Sequence, residues 1–214
     1  MRFAHRQEAA EFLALRLRDY RGRRPLVLGL PPGGVALGAH LAQELGADLD
    51  AFLLREIPAP EGDPLGALTE SGYMTLDPPG ETGGAVEPAY VEAKLEEARR
   101  QLRAQRDAYT PHQSPRDPAG RVVILVDECL TSPAAAATAA TALRDVGAEK
   151  VVVAAPVAPA SAVEALKESV DDVVCLTAPE RVTDAKCHFL ELPPVDEAQV
   201  AALLRGDRLR APLA

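Results

Sequence analysis

The chain has few cysteines, and their arrangement argues against two common kinds of stabilised site. It contains three, Cys129, Cys175 and Cys187, an odd and widely spaced set. No two of them have the spacing of zinc ligands, and Cys187 with the adjacent His188 is too small a cluster for a zinc site. We therefore expect a reducing compartment rather than a disulfide framework, and no metal site built from cysteine.

Long apolar runs and a basic surface are also missing. No stretch approaches about 18 consecutive apolar residues, and the first residues lack the apolar segment of a secretion signal. The formal net charge is −9, and basic residues gather only at 21–24 and 99–106. The sequence therefore predicts a soluble, cytoplasmic protein that binds neither membranes nor nucleic acid.

The apolar content is high enough for a full core. Hydrophobic residues make up 47% of the 214 positions. A chain of this length and composition can bury the interior of an α/β protein. We expect a single domain over residues 1–214 that carries a small lid.

Apolar strands alternate with helices along most of the chain. Strands are predicted at 26–30, 49–54, 121–126, 150–157 and 172–177, and helices at 6–20, 35–45, 133–146, 159–169 and 196–204. Short connections from strand to helix to strand favour parallel pairing, because such crossovers are right-handed. The predicted fold is of the α/β class, with a doubly wound parallel sheet.

The segment 57–88 differs from the rest because it is rich in proline and glycine. Within it, two short apolar stretches flank Ser71 and Gly72, the pattern of a hairpin. We expect a mobile hood inserted into the domain, which would exclude water from a site below it. The same turn residues are equally consistent with a surface hairpin that has no role in a site. A charged helix over 89–109 and a proline-rich linker over 110–120 follow.

Two acids follow one buried strand directly. Asp127 and Glu128 stand at the carboxyl end of strand 121–126, ahead of a short polar loop and a helix. Carboxylates can accept hydrogen bonds from vicinal hydroxyls, and amides at a helix N-terminus can hold a phosphate. A second loop, Leu-Pro-Pro-Gly-Gly-Val at 30–35, also joins a strand to a helix. It is read either as an anion site or as a proline–glycine turn without a ligand.

Segment 121–138 resembles the ribose-phosphate loop of the type I phosphoribosyltransferases. Their pattern is an apolar strand, two acids, Gly, an apolar residue, Ala, Thr, Gly, any residue and Thr. Other likenesses follow in the family's order. Residues 30–35 are similar to Leu-Pro-Arg-Gly-Gly-Val, residues 66–72 to the hood hairpin Gly-Ala-Ile-Ala-Glu-Gly-Gly, and residues 179–193 to a closing segment.

The resemblance implies an activity and a role for each matched residue. The activity is transfer of ribose 5-phosphate from phosphoribosyl diphosphate to a nitrogenous acceptor, assisted by Mg²⁺. Asp127 and Glu128 would be the catalytic pair that holds the ribose hydroxyls, directly or through Mg²⁺. The residues implied in substrate binding are Gly33, Gly34 and Arg55 for the diphosphate, and Thr131, Ser132, Ala134 and Ala135 for the 5-phosphate.

The chain departs from the family pattern at positions that hold anions. Cys129, Ser132, Pro133 and Ala135 replace Gly, Thr, Gly and Thr in the acid loop, and Pro32, Glu56 and Lys186 replace Arg, Lys and Gly elsewhere. Proline lacks an amide donor, and Cys129 resists the positive φ that glycine adopts. Ser132 as N-cap and Pro133 at the first helical position make a strong helix start. A structural role therefore explains this loop better than a phosphate site, and we predict weak or absent turnover.

One alternative function comes from another class. A catalytically silent module would keep the sheet and pocket but recognise another phosphorylated or anionic metabolite, or a partner protein. A dinucleotide-binding oxidoreductase is less favoured, because no glycine fingerprint with the required spacing follows the first strand. A homodimer is compatible with either function, and the sequence names no acceptor.

Overall fold

A parallel sheet of five strands forms the centre of the computed structural model, which describes residues 2–62, 64–76, 86–131, 133–182 and 184–206. Its strands are β1 (Leu26–Gly29), β2 (Asp48–Ala51), β6 (Val122–Val126), β7 (Lys150–Val157) and β8 (Asp172–Thr177). They lie in the order β2-β1-β6-β7-β8, and every pairing is parallel. The predicted α/β fold with a doubly wound sheet is confirmed.

Helices cover both faces of this sheet. Helices α1 (Arg6–Arg16) and α2 (Gly33–Leu45) pack on one face, and α4 (Ala134–Asp145) and α5 (Ala160–Leu166) on the other. The central strand β6 is buried along its whole length. Its five residues are all β-branched or leucine, and they alternate between the two apolar clusters, as a strand buried on both faces requires.

A second, antiparallel sheet lies beside the first. Its strands are β3 (Leu54–Ile57), β4 (Gly66–Thr69) and β5 (Met74–Leu76), in that order. The predicted strand 49–54 is wrong at its end, because the chain leaves the main sheet after Ala51 and enters the second sheet at Leu54. Helices α3 (Pro88–Tyr109) and α6 (Glu197–Leu204) pack with this sheet in a third apolar cluster.

The second sheet lies largely in the segment 57–88 predicted as a hood, and it begins three residues before that segment. Asp63 and residues 77–85 of the predicted hood segment lie outside the described residues. All four residues of β4 are buried, so this strand is part of the core. The described part of the hood is thus a packed wall of the domain.

The remaining local features are two 3₁₀ turns and two helix caps that the sequence predicted. The turns span Arg18–Tyr20 and Ala185–His188. Asp196 caps α6 as predicted, since its carboxylate accepts from the Gln199 amide at 2.7 Å. Gly46 ends α2 with φ +64°, the left-handed conformation that favours glycine at this position.

Candidate active site

The two acids and the glycine loop meet at the carboxyl edge of the main sheet. Strands β1 and β6 are neighbours, with Gly29 opposite Val126. The Leu30 amide donates to the Val126 carbonyl at 2.9 Å, which extends the pairing into the loop. Parallel strands end at the same edge, where α/β proteins bind ligands. The structure therefore brings Asp127 and Glu128 beside the loop that contains Gly33.

Both glycines lie in close packing at this junction, Gly34 against backbone and Gly33 against a side chain. A Cβ added to Gly34 would overlap the Val126 carbonyl oxygen, and one added to Gly33 would overlap the Glu128 carboxylate. The Gly34 amide already donates to the Leu30 carbonyl at 2.9 Å. Gly34 thus allows α2 to pack closely on β6, while Gly33 lies directly against the Glu128 side chain. Their predicted contact with a diphosphate stays a prediction.

Glu128 is held by an arginine that the sequence analysis missed. The Arg6 guanidinium, at the start of α1, donates through Nε to Oε1 of Glu128 and through Nη1 to the Pro193 carbonyl at 2.7 Å. The two side chains expose 10% and 15% of their surface, respectively. The partners are 122 residues apart in the chain, so no local pattern links them.

Asp127 has a different environment from its neighbour. Burial raises the pKa of Asp127 from 3.8 to about 6, and the charge of Glu128 adds to this rise. Hydrogen bonds from the amides of Cys129 and Glu128 oppose it by stabilising the ionised form. Asp127 is therefore mostly ionised at pH 7 and becomes protonated in mildly acidic solution.

The cysteine in the first glycine position is a half-buried, unreactive thiol. Burial raises the pKa of Cys129 to about 12, and the charges of Asp127 and Glu128 raise it further. Positive φ occurs at Arg24 and His112 among the described non-glycine residues, so Cys129 keeps an ordinary backbone conformation. The thiol is consequently protonated at neutral pH and is no nucleophile.

The backbone amides of the acid loop are largely committed to internal bonds. The amides of Asp127 and Leu130 donate to the Ala154 and Val157 carbonyls of β7 at 3.2 and 3.1 Å. Those of Glu128 and Cys129 bond to the Asp127 carboxylate. An anion bound here would have to be held by the residues after Leu130.

The start of α4 agrees in part with the predicted helix start. The helix begins at Ala134, preceded by Pro133 with φ −73° and ψ −19°, and the Ala137 amide donates to the Pro133 carbonyl at 2.9 Å. Ser132, with its predicted capping and phosphate-binding roles, lies outside the described residues. Thr131 and Ala134 are exposed and Ala135 is half-buried, so all three flank the open edge.

The following alanines pack α4 onto the sheet. Ala136, Ala139 and Ala140 are fully buried against β6 and β7. Small side chains allow the helix to approach the strands closely. The alanine run therefore has a packing reason, whatever the helix N-terminus binds.

Arg55 is bonded to helix α3 and to its own strand rather than to the acid loop. Its Nη2 donates to the Gln105 side-chain oxygen of α3 at 2.8 Å, and its Nη1 to the Leu54 carbonyl at 3.1 Å. Its neighbour Glu56 is exposed. The structure thus does not bring Arg55 together with Asp127 and Glu128, and its predicted contact with a diphosphate stays a prediction.

A second buried arginine, also missed from the sequence, fixes the hood. Arg106 of α3 contacts Asp50 at 2.7 Å and both carboxylate oxygens of Glu70 at 2.5 and 2.8 Å. Its Nη2 also donates to the Ala51 carbonyl at 2.9 Å. Glu70 belongs to the hairpin that resembles the family's hood, so this network ties the hairpin to the end of β2.

A cavity of about 330 Å³ lies beside this network, away from the acid loop. Phe52, Ser71 and the second half of α4 form part of its wall. Asp50 and Glu70 also line it, but both are already paired with Arg106. We assign it no ligand.

Two classes of structure are not found in the described residues. No helix there is long and apolar enough to cross a membrane. Across the same residues, no group of three or more His, Cys, Asp or Glu side chains is arranged to hold a metal ion.

The acids of the loop offer the oxygen ligands that Mg²⁺ prefers. Because Arg6 already contacts Glu128, a Mg²⁺ ion would be held mainly by Asp127 and by oxygen atoms of its substrate.

Comparison with known proteins identifies the family. The family model "Phosphoribosyl transferase domain" matches residues 4–189. The chain belongs to the phosphoribosyl transferase domain family. Two curated Mycobacterium tuberculosis proteins, each named "Putative phosphoribosyl transferase", are 31% identical to this domain over 179 residues. The match covers 83% of the chain but only 40% of those proteins, so the chain spans less than half the length of its curated relatives.

A solved structure supports the same conclusion for this phosphoribosyl transferase domain. The protein TT1426 from Thermus thermophilus is 33% identical and superposes with a TM-score of 0.82. The likeness covers 95% of this chain and 98% of that one. The shared architecture therefore extends over nearly the whole chain.

Proposed function

We propose that this domain binds phosphoribosyl diphosphate, or a closely similar phosphorylated ribose, at the carboxyl edge of the main sheet and transfers its ribose 5-phosphate slowly. One observation carries the proposal. The acid pair that follows β6 lies against the glycine loop that follows β1, with the Glu128 carboxylate packed directly on Gly33. Hydroxyl-binding and anion-binding groups thereby lie side by side at one edge of the sheet.

The chain's own residues would have distinct tasks in the transfer. Asp127 accepts hydrogen bonds from the ribose hydroxyls, and Glu128 presents its second oxygen beside them. The bond from the ribose C1 atom to the diphosphate oxygen breaks, the diphosphate leaves with the electron pair, and C1 forms a bond to the acceptor nitrogen. The acceptor's proton passes to water. Mg²⁺, when bound with the diphosphate, would neutralise charge on the leaving group.

The expectation of slow transfer rests on missing anion donors. The amides of residues 127–130 are bonded internally, and Pro133 contributes none. Pro32 likewise has no amide donor in the glycine loop. The 5-phosphate would therefore depend on the predicted residues after Leu130, which are Thr131, Ser132, Ala134 and Ala135.

A calorimetric titration with phosphoribosyl diphosphate and Mg²⁺ tests binding, and release of diphosphate in the presence of nitrogenous bases tests transfer. The proposal predicts saturable binding and slow turnover. Asp127→Asn should abolish both, while Asp107→Asn, an exposed change on α3, should alter neither. Absence of heat at millimolar ligand would contradict the proposal and favour the silent module. The Mg²⁺ requirement, a cytoplasmic location and a homodimer stay predictions.

A further inference from the structure

The acid pair is joined to a third segment that the family resemblance does not mention. Arg6, from the first turn of α1, contacts Glu128 of the acid loop and the Pro193 carbonyl of the closing segment. Burying a guanidinium is costly unless its donors are paired. The nearly enclosed position of Arg6 therefore implies that these two contacts are the reason for its place in the structure.

Arg6 contacts one oxygen atom of the Glu128 carboxylate, and the other oxygen atom faces the glycine loop. Its Nε donates to Oε1 of Glu128, while Oε2 is the atom that a Cβ on Gly33 would overlap. In the part of the chain that the structure describes, the hydrogen bond to the Glu128 carboxylate comes from Arg6. A carboxylate has about four acceptor directions. Oε2 thus keeps the capacity to accept from a ligand hydroxyl.

The pairing also changes the charge that a ligand meets. Two adjacent carboxylates would repel a sugar phosphate that itself carries several negative charges. Arg6 neutralises one of them inside a nearly enclosed contact, where solvent screens little. The ion pair therefore lowers the repulsion and fixes the direction of the remaining acceptor.

From these contacts we infer that Arg6 is a positioning residue for ligand binding. It orients Glu128 over the glycine loop and cancels its charge, so that affinity for a phosphorylated ribose depends on Arg6 through Glu128. This inference rests on the proposed function. A purely structural role, in which the ion pair only ties α1 to the acid loop, is the competing explanation.

The experiment titrates phosphoribosyl diphosphate with Mg²⁺ into the wild-type chain, Arg6→Gln, Arg6→Lys and the matched control Arg2→Gln. Arg2 also bonds the closing segment, through the Phe189 carbonyl at 3.3 Å, but its recorded bond does not involve the acid pair. We expect Arg6→Gln to weaken binding roughly tenfold, the scale of one hydrogen bond to a charged group. Arg6→Lys should recover part of this loss because it restores the charge, and Arg2→Gln should bind as the wild type does.

A double-mutant cycle separates positioning from a structural role. If Arg6 acts through Glu128, then Arg6→Gln should change affinity little when Glu128→Gln is already present. Additive losses would overturn the inference, as would a folded Arg6→Gln with wild-type affinity. If Arg6→Gln does not fold, Arg6→Lys replaces it in the same comparison. Wild-type affinity of Arg6→Lys, alone or combined with Glu128→Gln, would then overturn the inference. A wild-type chain that does not bind the ligand at all would instead overturn the proposed function, and the inference with it.

Discussion

Replacing Asp127 by asparagine should stabilise the fold in neutral and alkaline solution. Burial raises the pKa of this carboxyl group from 3.8 to about 6. At about 1.4 kcal/mol per pH unit, the ionised form costs the folded state at most about 3 kcal/mol. The side chain keeps partial access to solvent at the cleft. We therefore expect a gain of about 1–3 kcal/mol in Asp127→Asn at pH 8.

The sign of this effect depends on pH in a defined window. Because the folded pKa lies above the unfolded value, the group contributes stability that is complete below pH 3.8 and is lost as the pH rises through about 6. Asparagine does not titrate and can still accept from the Cys129 amide, which lies 3.3 Å from Oδ1 in the wild type. The advantage of the variant should thus grow from pH 4 to pH 7 and then level off.

Urea denaturation followed by far-ultraviolet circular dichroism between pH 4 and pH 8 measures this difference. Asp107→Asn, an exposed acid-to-amide change on α3, is the control and should show no such pH dependence. A difference between wild type and Asp127→Asn that is constant over this range would refute the reasoning. So would a variant that is less stable than the wild type at pH 8.

Three further predictions concern packing and charge around the site. Gly34→Ala should lower the free energy of unfolding by about 1–3 kcal/mol, because its Cβ would overlap a backbone carbonyl, and chemical denaturation would measure the loss. Arg106→Met should cost about 3–5 kcal/mol by leaving Asp50 and Glu70 buried without their cation; an unchanged denaturation midpoint would contradict this. Burial, followed by the positive charges of neighbouring groups, lowers the pKa of His40, so the contribution of this residue to stability should fall as the pH falls below about 6.5. His40→Gln should lose less between pH 7 and pH 5, and equal losses in thermal melts would count against this account.

The sequence predicted the main sheet because its strands carry strong local patterns. The buried run 122–126, between a turn and two acids, is a typical parallel strand, and Asp196 is a typical helix cap. The end of the second strand was wrong because Phe52 and Leu53 continue its apolar pattern across the step between two sheets. Periodicity alone does not distinguish one long strand from two short ones in different sheets.

The candidate site was only partly predictable for a different reason. The proximity of Asp127, Glu128 and Gly33 was predictable because all three follow the ends of strands, and parallel strands end together. Arg6 and Arg106 were missed because their partners Glu128 and Asp50 lie 122 and 56 residues away, and α1 contains one other arginine and α3 three. Which arginine of a helix is buried depends on tertiary packing, which no local pattern records.

The most direct test of the central claim is the heat of binding of phosphoribosyl diphosphate, with Mg²⁺ present, to the wild-type chain and to Asp127→Asn. The account predicts a saturable isotherm for the wild type and none for the variant, together with slow release of diphosphate when bases are added. An isotherm that survives the loss of the Asp127 carboxylate would contradict it, because the ligand would then be held without the acid pair.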